Sequence, residues 1–258
     1  MLEALALAAA TFNPPIGVPL AYVSREDRVI GGRALHFESR RRITFTREHD
    51  GFLATIRFEH AANDADGDVA AMFQAAMESL VDRPIVLHLD AAGAVTAVDD
   101  ADATWRALCD AIAGLPGNDS QRAHAARFAA ALRNLPAAQR AAMLGSLVAP
   151  LVAGDDAMLA PGSTQPISIR ARPPLPGGTT LAGEQTVTRA ADGRLALHAS
   201  AHGDAPAPDG AAARVAADRD RVIDPATGLV MATHDHMAAT IGGDPVTADT
   251  RVTLAPVS

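Results

Sequence analysis

The sequence predicts an α+β protein with an antiparallel β-sheet and a block of helices. Apolar residues alternate with period two up to about residue 58, which is typical of strands that have one face in the core. The period becomes that of a helix from about residue 68, and alternation returns from about residue 165. Because strands precede and follow the helices without alternating with them, a Rossmann fold and a (β/α) barrel are excluded.

The first third of the chain is predicted to form long antiparallel strands. The apolar residues that alternate there are Val18, Leu20, Tyr22, Leu35, Phe37, Ile43, Phe45, Phe52, Ala54, Ile56 and Phe58. Asp50 and Gly51 stand between two of these runs, and an Asp-Gly pair in that position is a strong signal for a hairpin.

About four helices are predicted over residues 68–152. The first is amphipathic, with apolar residues at i, i+3, i+4, i+7, i+8 and i+11, namely Val69, Met72, Phe73, Ala76, Met77 and Leu80. Pro84 ends it, and two short strands follow at about 85–89 and 95–98. The other helices are predicted over about 100–114, 120–134 and 137–149.

Strands return in the last third of the chain. They are predicted over about 165–172, 183–189, 195–200, 214–223, 228–240 and 245–254. Residues 173–178 and 203–210 are loops by composition. No internal repeat or linker is present, so residues 13–258 are predicted to form one domain, with residues 68–152 as a helical insertion between its N- and C-terminal strands.

The charge balance argues against nucleic-acid binding. The 258 residues carry a formal net charge of -8, which does not suit the neutralisation of phosphates. The one basic run, Arg40-Arg41-Arg42, falls in a predicted strand near Glu38, and we expect a solvated strand face there. All 22 basic residues are Arg, and the lack of Lys excludes Schiff-base, P-loop and ordinary kinase chemistry.

Motifs of the common enzyme classes are missing. The sequence contains no G-x-S-x-G, H-E-x-x-H or G-x-G-x-x-G. The single Cys109 excludes an internal disulfide and falls on the apolar side of a predicted helix, with Trp105 and Ile112, so we expect it to be buried rather than catalytic. We expect no cofactor and favour a non-enzymatic protein.

His234-Asp235-His236 is the most suggestive local cluster for chemistry. Residues i and i+2 of a strand share a face, so both imidazoles could hold one metal ion while Asp235 points away. A third ligand would have to come from elsewhere, for example from His198 or His202. The alternative is a pair of His side chains that face solvent.

The apolar helices offer a different kind of site. Met72, Phe73, Met77, Met143 and Leu147 would provide a flexible, adaptable surface. If the sheet curls and the helices cover its concave face, the gap between them could hold a lipid or an acyl chain. The alternative is that these five side chains form part of the core.

The start of the chain is typical of the end of an export signal. Residues 2–10 form a short apolar run rich in Ala, followed by a polar break. No basic residue precedes the run and Glu3 interrupts it, so we interpret residues 1–12 as the remnant of a signal or a disordered start. We therefore expect an exported, periplasmic protein, the alternative being a cytoplasmic one. No apolar run reaches the ~20 residues that cross a bilayer.

The arrangement is similar to that of the β-half-barrel envelope proteins of the lipoprotein carrier and outer-membrane receptor family. The resemblance rests on the one-sided strands from Leu20 to Phe58, the helical middle, and Val222–Val230, which has the order strand, D-P-x-T-G turn, strand. In its general sequence character the chain resembles uncharacterised exported proteins of alphaproteobacteria. The resemblance implies a curved, half-barrel-like sheet with helices over its concave side, and it carries over no binding residue.

These observations predict a non-enzymatic protein of the bacterial envelope that binds an apolar ligand, such as a lipid or acyl chain, or a protein partner between sheet and helices. Neither nucleic acid nor a transmembrane segment is expected. One alternative is a metal-assisted hydrolase centred on His234 and His236. The other is a structural or assembly protein that acts through a sheet edge.

Overall fold

The computed structural model describes residues 12–64, 67–171, 179–206, 212–241 and 243–257. The strands are β1 (Leu20–Ile30), β2 (Arg33–Glu48), β3 (Gly51–Asn63), β4 (Ile85–Leu89), β5 (Val95–Val98), β6 (Thr164–Arg170), β7 (Thr180–Arg189), β8 (Leu195–Pro206), β9 (Ala212–Asp224), β10 (Leu229–Ile241) and β11 (Asp244–Pro256). The helices are α1 (Asp68–Glu78), α2 (Ala101–Ala113), α3 (Asp119–Arg133) and α4 (Ala137–Gly145), with 3-10 turns at Ala149–Leu151 and Gly154–Met158.

All these strands lie in one antiparallel sheet, in the order β5-β4-β3-β2-β1-β11-β10-β9-β8-β7-β6. β1 pairs with both β2 and β11, so strands from the two ends of the chain meet in the middle of the sheet. The sheet is not closed, and β5 and β6 are its edges. Because the last three helices lie between β5 and β6 in the chain, they connect one edge of the sheet to the other.

The large antiparallel sheet and the four helices are confirmed. Strands make up 52% and helices 24% of the chain, so the sheet dominates the fold. β1 and β2 form a longer hairpin than the apolar alternation predicts, since residues 25–28 are all charged. Gly31 and Gly32 make its turn with φ angles of 56° and 74°, a region that glycine enters without steric cost.

The fourth helix is shorter than predicted, because it ends at Gly145 and not near residue 149. Beyond Gly145 the hydrogen bonds span three residues and not four, since the amides of Leu147 and Val148 donate to the carbonyls of Leu144 and Gly145. β8, by contrast, is longer than predicted. It continues to Pro206, into a stretch that the composition predicts as loop. The other predicted loop, residues 173–178, lies outside the described residues.

The largest core lies between the helices and strands β1–β5. Its strand residues alternate as the sequence predicts, for example Phe52, Ala54, Ile56 and Phe58 of β3, and they form one cluster with side chains of all four helices. The ring of Phe12 packs edge-on against those of Phe45 and Phe52. Residues 1–11, which make up most of the predicted signal remnant, lie outside the described residues.

Contacts between α2 and α3 fix the helical block. The indole nitrogen of Trp105 donates a hydrogen bond to the carbonyl of Leu132 over 2.9 Å. Asn118 and Gln121 cap the start of α3 reciprocally. Cys109 is fully buried in α2, as predicted, and this burial raises the pKa of its thiol.

Among the described residues, no helix is long and apolar enough to cross a membrane.

Two smaller cores lie on strands β6–β10. One packs Ala157 of the second 3-10 turn against Leu197 and Ile223 of the sheet. The other contains no helical residue and is rich in alanine, with Ala199, Ala201, Ala205, Ala217 and Ala239 among its members. Ile169 of β6 and Glu26 of β1 line one small cavity beside it, although five strands lie between β6 and β1 in the sheet order.

Candidate functional site

The helical block encloses an apolar cavity of about 470 Å³. It is lined by Val69, Met72, Phe73, Ala76, Met77, Leu80, Trp105, Leu108, Ile112, His124, Phe128, Leu132, Met143, Leu144 and Leu147. Among these lining residues His124 alone has an ionisable side chain. A volume of this size lies within the range of about 300–1,000 Å³ that is usual for small-molecule sites.

Helical periodicity explains why these side chains converge. In α1 the apolar residues recur at intervals of three and four, which places them on one face of the helix. The same spacing brings Trp105, Leu108 and Ile112 of α2 to the cavity, and His124, Phe128 and Leu132 of α3. The four amphipathic faces meet without filling the space between them, which leaves the cavity.

The five residues that the sequence singled out for ligand binding all line this cavity. Met72, Phe73 and Met77 stand on α1, Met143 on α4, and Leu147 just beyond α4. The structure therefore brings together side chains that lie up to 75 positions apart in the chain. Their role in holding a ligand stays a prediction.

The cavity differs from the predicted site in its walls. Every lining residue belongs to a helix or lies within two residues of a helix end, so the sheet provides no wall. The reason is that Phe45, Phe52 and Phe58 fill the sheet face beneath the helices and are themselves almost fully buried. The space is thus inside the helical block and not between sheet and helices.

The cavity opens to solvent along one side. Val69, Phe128 and Met143 line it and yet are 73%, 43% and 49% exposed, whereas Met72 and Trp105 at its inner side are each only 4% exposed. Single exposed apolar side chains are ordinary, but these three come from three different helices and share the opening of one cavity, so we call them its rim.

Polar contacts connect α1 to α3 beside the opening of the cavity. The imidazole of His124 on α3 lies 3.3 Å from a carboxylate oxygen of Asp68 on α1, and the amide of Gln121 donates to the other oxygen over 3.2 Å. Phe73 of α1 also contacts the ring of Phe37 on β2 edge-on. These contacts hold α1 between α3 and the sheet.

Several lining residues were missed by the sequence analysis. The sequence predicts Trp105 and Ile112 only as part of the apolar side of a helix, and it does not show that they and Leu108 face α1 across one space. Phe128 carries a usable signal, because it is the one large apolar side chain of α3 before Leu132. A single exposed Phe is ordinary by itself, and only its place beside exposed apolar side chains of other helices makes it informative.

The prediction of a solvated strand face for the basic run of β2 is wrong for Arg41. Arg40 and Arg42 lie on the solvated face, as expected, and pair with Glu38 and Glu59 at 2.8 and 2.6 Å. Arg41 shares the opposite face with Ile43, because side chains alternate along a strand, and it points under the helical block. Burial lowers its pKa from the usual value.

Arg41 is held by aromatic rings and one carbonyl. Its guanidinium carbon lies 4.3 Å from the ring centroid of Tyr22 and 5.1 Å from that of Phe58. One terminal nitrogen donates to the carbonyl of Leu147 over 3.4 Å, and its Nε is buried without a hydrogen-bond partner. None of the ion pairs within the described part of the chain includes Arg41.

His234 and His236 share one carboxylate, that of Asp249 on β11. The Nε2 of His234 lies 2.7 Å from Asp249 Oδ2, and the Nδ1 of His236 lies 3.4 Å from the same atom. Burial of Asp249 opposes its ionisation, but the hydrogen bond with His234 and the neighbouring positive groups hold its pKa below the usual range. His198 contacts Asp220 on the same sheet.

This arrangement is a chain of His-Asp contacts and not a set of ligands around one point. The part of the chain that the structure describes contains no group of three His, Cys, Asp or Glu side chains able to hold a metal ion. The metal site at His234 and His236 stays a prediction, and the geometry adds no third ligand to it.

Comparisons with known proteins leave the chain without a family. No protein-family model matches it, and no curated protein matches its sequence. A solved structure described as lipid-protein interactions in lipovitellin aligns over 96% of this chain with 9% identity and a TM-score of 0.44. The chain spans 25% of the length of that protein. A likeness of this degree carries no argument about fold or function.

Proposed function

We propose that the protein binds an apolar small molecule, such as a lipid or acyl chain, in the cavity enclosed by α1–α4. The observation that carries this proposal is the cavity itself: about 470 Å³ of space with an almost wholly apolar lining and an open apolar rim. An empty apolar space forfeits the dispersion contacts that its lining would otherwise make, so a chain of fitting shape gains both contacts and removal from water.

The residues of the wall suit this role. Met72, Met77 and Met143 have flexible, polarisable side chains that adapt to ligands of different shape. Trp105 and Phe128 add large aromatic surface on the opposite helices. With His124 as the one ionisable group of the lining, the wall offers little that would favour a strongly polar ligand.

A matched pair of methionines tests the proposal. Met143 and Met158 are similarly exposed, at 49% and 44%, but only Met143 lines the cavity. We expect Met143→Gln to weaken binding of the neutral fluorescent probe N-phenylnaphthylamine about tenfold, since an amide buried against the ligand costs about 1–2 kcal/mol. Met158→Gln is expected to leave binding unchanged.

Fluorescence titration of the purified protein measures both variants against the unchanged chain. If the unchanged chain does not bind the probe, or if both variants lose affinity equally, the proposal is wrong. Thermal melting of the two variants serves as the control, because both changes lie at exposed positions and should alter stability by less than about 0.5 kcal/mol.

A half-barrel shape of the sheet belongs to the same proposal. What supports it is that Glu26 and Ile169 line one cavity across five intervening strands, which a flat sheet would keep far apart. The alanine-rich core without helices supports it further, because small side chains let a curled sheet approach itself. The ligand cavity, however, lies in the helical block that covers the other half of the sheet.

Location in the bacterial envelope is a separate part of the proposal. It rests on the sequence of residues 2–10 alone. Fractionation of cells that express the full-length gene tests it, and we expect the protein in the periplasmic fraction. Recovery from the cytosol would overturn the location without affecting ligand binding.

The two alternative functions gain no support from the described residues. At His234 and His236 a shared carboxylate takes the place of further metal ligands. The edge strands β5 and β6 have four and seven residues, and β6 contains Pro166, features with which proteins discourage pairing at a sheet edge.

A further inference from the structure

His124 is the polar end of the otherwise apolar cavity. It lines the cavity from α3, one turn before Phe128, which belongs to the exposed rim. The side chain of His124 is 46% exposed, so it stands at the opening and not at the inner side, where Met72 and Trp105 are almost fully buried. A chain-like ligand that fills the cavity therefore brings its outer end to this imidazole.

One nitrogen of the imidazole already has a partner, and the other is free to meet a ligand. Nδ1 lies 3.3 Å from a carboxylate oxygen of Asp68, whose other oxygen accepts a hydrogen bond from the amide of Gln121 over 3.2 Å. An ionised carboxylate only accepts, so Nδ1 is the donor, and in a neutral imidazole Nε2 is then an acceptor. No group within the described ranges of the chain forms a hydrogen bond with Nε2.

We infer that the ligand of the cavity is a neutral amphiphile with a hydroxyl head group, such as a long-chain alcohol or an acylglycerol, and that this hydroxyl donates to Nε2 of His124. The alkyl or acyl chain occupies the apolar cavity, and the head group stays at the opening. The inference deepens the proposed function and rests on it, since it concerns the same cavity. It makes His124 the residue that determines which head group is accepted.

The same contacts disfavour a carboxylate head group. A carboxylate has no proton to donate to Nε2, and it would stand beside the like charge of Asp68. The described residues that line the cavity include no arginine to offset this repulsion. Arg122, the arginine closest to His124 in sequence, already contacts Asp119 and the carbonyl of Gly117.

The test compares 1-decanol with its isomer 1-methoxynonane and with decanoate. Alcohol and ether contain the same atoms, but only the alcohol has a hydroxyl proton to donate. Displacement of N-phenylnaphthylamine from the full chain at pH 8 gives the three affinities. We expect the alcohol to bind about three- to tenfold more tightly than the ether, the usual effect of one hydrogen bond between neutral groups, and decanoate to bind no better than the ether.

Three variants assign the preference to His124. His124→Leu removes the acceptor and keeps the opening apolar, so the advantage of the alcohol should fall below about twofold while the affinity for the ether is retained. Arg127→Leu is the matched control, because Arg127 is exposed on the same helix without lining the cavity, and the preference should persist. Asp68→Asn removes the neighbouring charge and is expected to strengthen decanoate binding about threefold.

The outcomes separate this inference from the proposed function. Equal affinities for alcohol and ether in the unchanged chain, or tighter binding of decanoate than of the alcohol, overturn the inference and leave the apolar cavity as a binding site. An advantage of the alcohol that survives in His124→Leu overturns the role of His124, and unchanged decanoate binding in Asp68→Asn overturns the role of Asp68. If N-phenylnaphthylamine does not bind, the proposed function itself fails, and the inference with it.

Discussion

His88 shows how single polar contacts join the elements around the main core. From β4, its Nδ1 lies 2.6 Å from a carboxylate oxygen of Glu48 at the end of β2, and its Nε2 lies 2.9 Å from Asp99 before α2. The hydrogen bond with Asp99 and then that with Glu48 raise the pKa of His88 above its usual value. The protonated imidazole therefore links the β2–β3 hairpin to the start of the helical block.

The raised pKa of His88 predicts a pH dependence of stability. A group whose pKa is higher in the folded state stabilises the fold below its unfolded value of about 6.5, and this contribution is lost as the pH rises through the folded pKa. We expect His88→Gln to lower the free energy of unfolding most below about pH 6 and least at alkaline pH. Urea denaturation over this pH range measures the difference.

His60→Gln provides the matched control for His88. His60 is exposed on the neighbouring strand β3, and its substitution is expected to produce no comparable pH-dependent difference. A His88→Gln profile that runs parallel to that of the unchanged chain at every pH would contradict the prediction.

At the scale of elements, the β2–β3 hairpin forms where Asp50 and Gly51 predict it, but its glycine has a different reason. The left-handed residue of the turn is His49, with φ of 44°, and Gly51 already belongs to β3. A Cβ at position 51 would lie 2.0 Å from the carbonyl oxygen of Leu89. The end of β4 therefore requires the glycine, through close backbone approach and not through a turn conformation.

This close approach predicts the cost of a single methyl group. Gly51→Ala is expected to lower the free energy of unfolding by about 2–3 kcal/mol, because backbone must move to admit the side chain. Gly203→Ala in β8 is the control, since its Cβ would meet the flexible side chain of Leu181 at 3.2 Å. Chemical denaturation of both variants measures the difference, and equal losses would contradict the explanation.

At the scale of the whole molecule, the pairing of β1 with β11 joins the two halves of the sheet. Leu254 of β11 lies opposite Tyr22 of β1 and is buried in the same core as the helical block. The helices in turn connect edge strand β5 to edge strand β6. Sheet and helices thus share one core at the middle of the sheet, and we expect them to unfold together.

Leu254→Ala tests this shared core. Loss of the buried side chain should lower the free energy of unfolding by about 2–4 kcal/mol. We expect the urea transition followed by Trp105 fluorescence, which reports on the helices, to shift together with that followed by circular dichroism, which reports on the sheet. Val257→Ala at an exposed position is the control, and separate transitions for the two probes would contradict a single cooperative unit.

Most of the fold could be predicted from the sequence because its elements are set by local periodicity. Alternation in β3 and intervals of three and four residues in α1 each identify a buried face without knowledge of the partner. Local periodicity did not predict the full length of the β1–β2 hairpin or the end of α4. The hairpin depends on pairing between charged strands, and the helix end on a change to hydrogen bonds over three residues, which an apolar pattern does not reveal.

The sequence by itself determined that Met72, Phe73, Met77, Met143 and Leu147 lie on the apolar faces of helices, before any helix was placed. Only the tertiary structure decided that these side chains surround one space inside the helical block, since the packing of four helices depends on contacts between distant segments. It also decided that Arg41 lies under the helices while Arg40 and Arg42 face water. Alternation along a strand separates such neighbours, but which face is buried depends on the element that covers it.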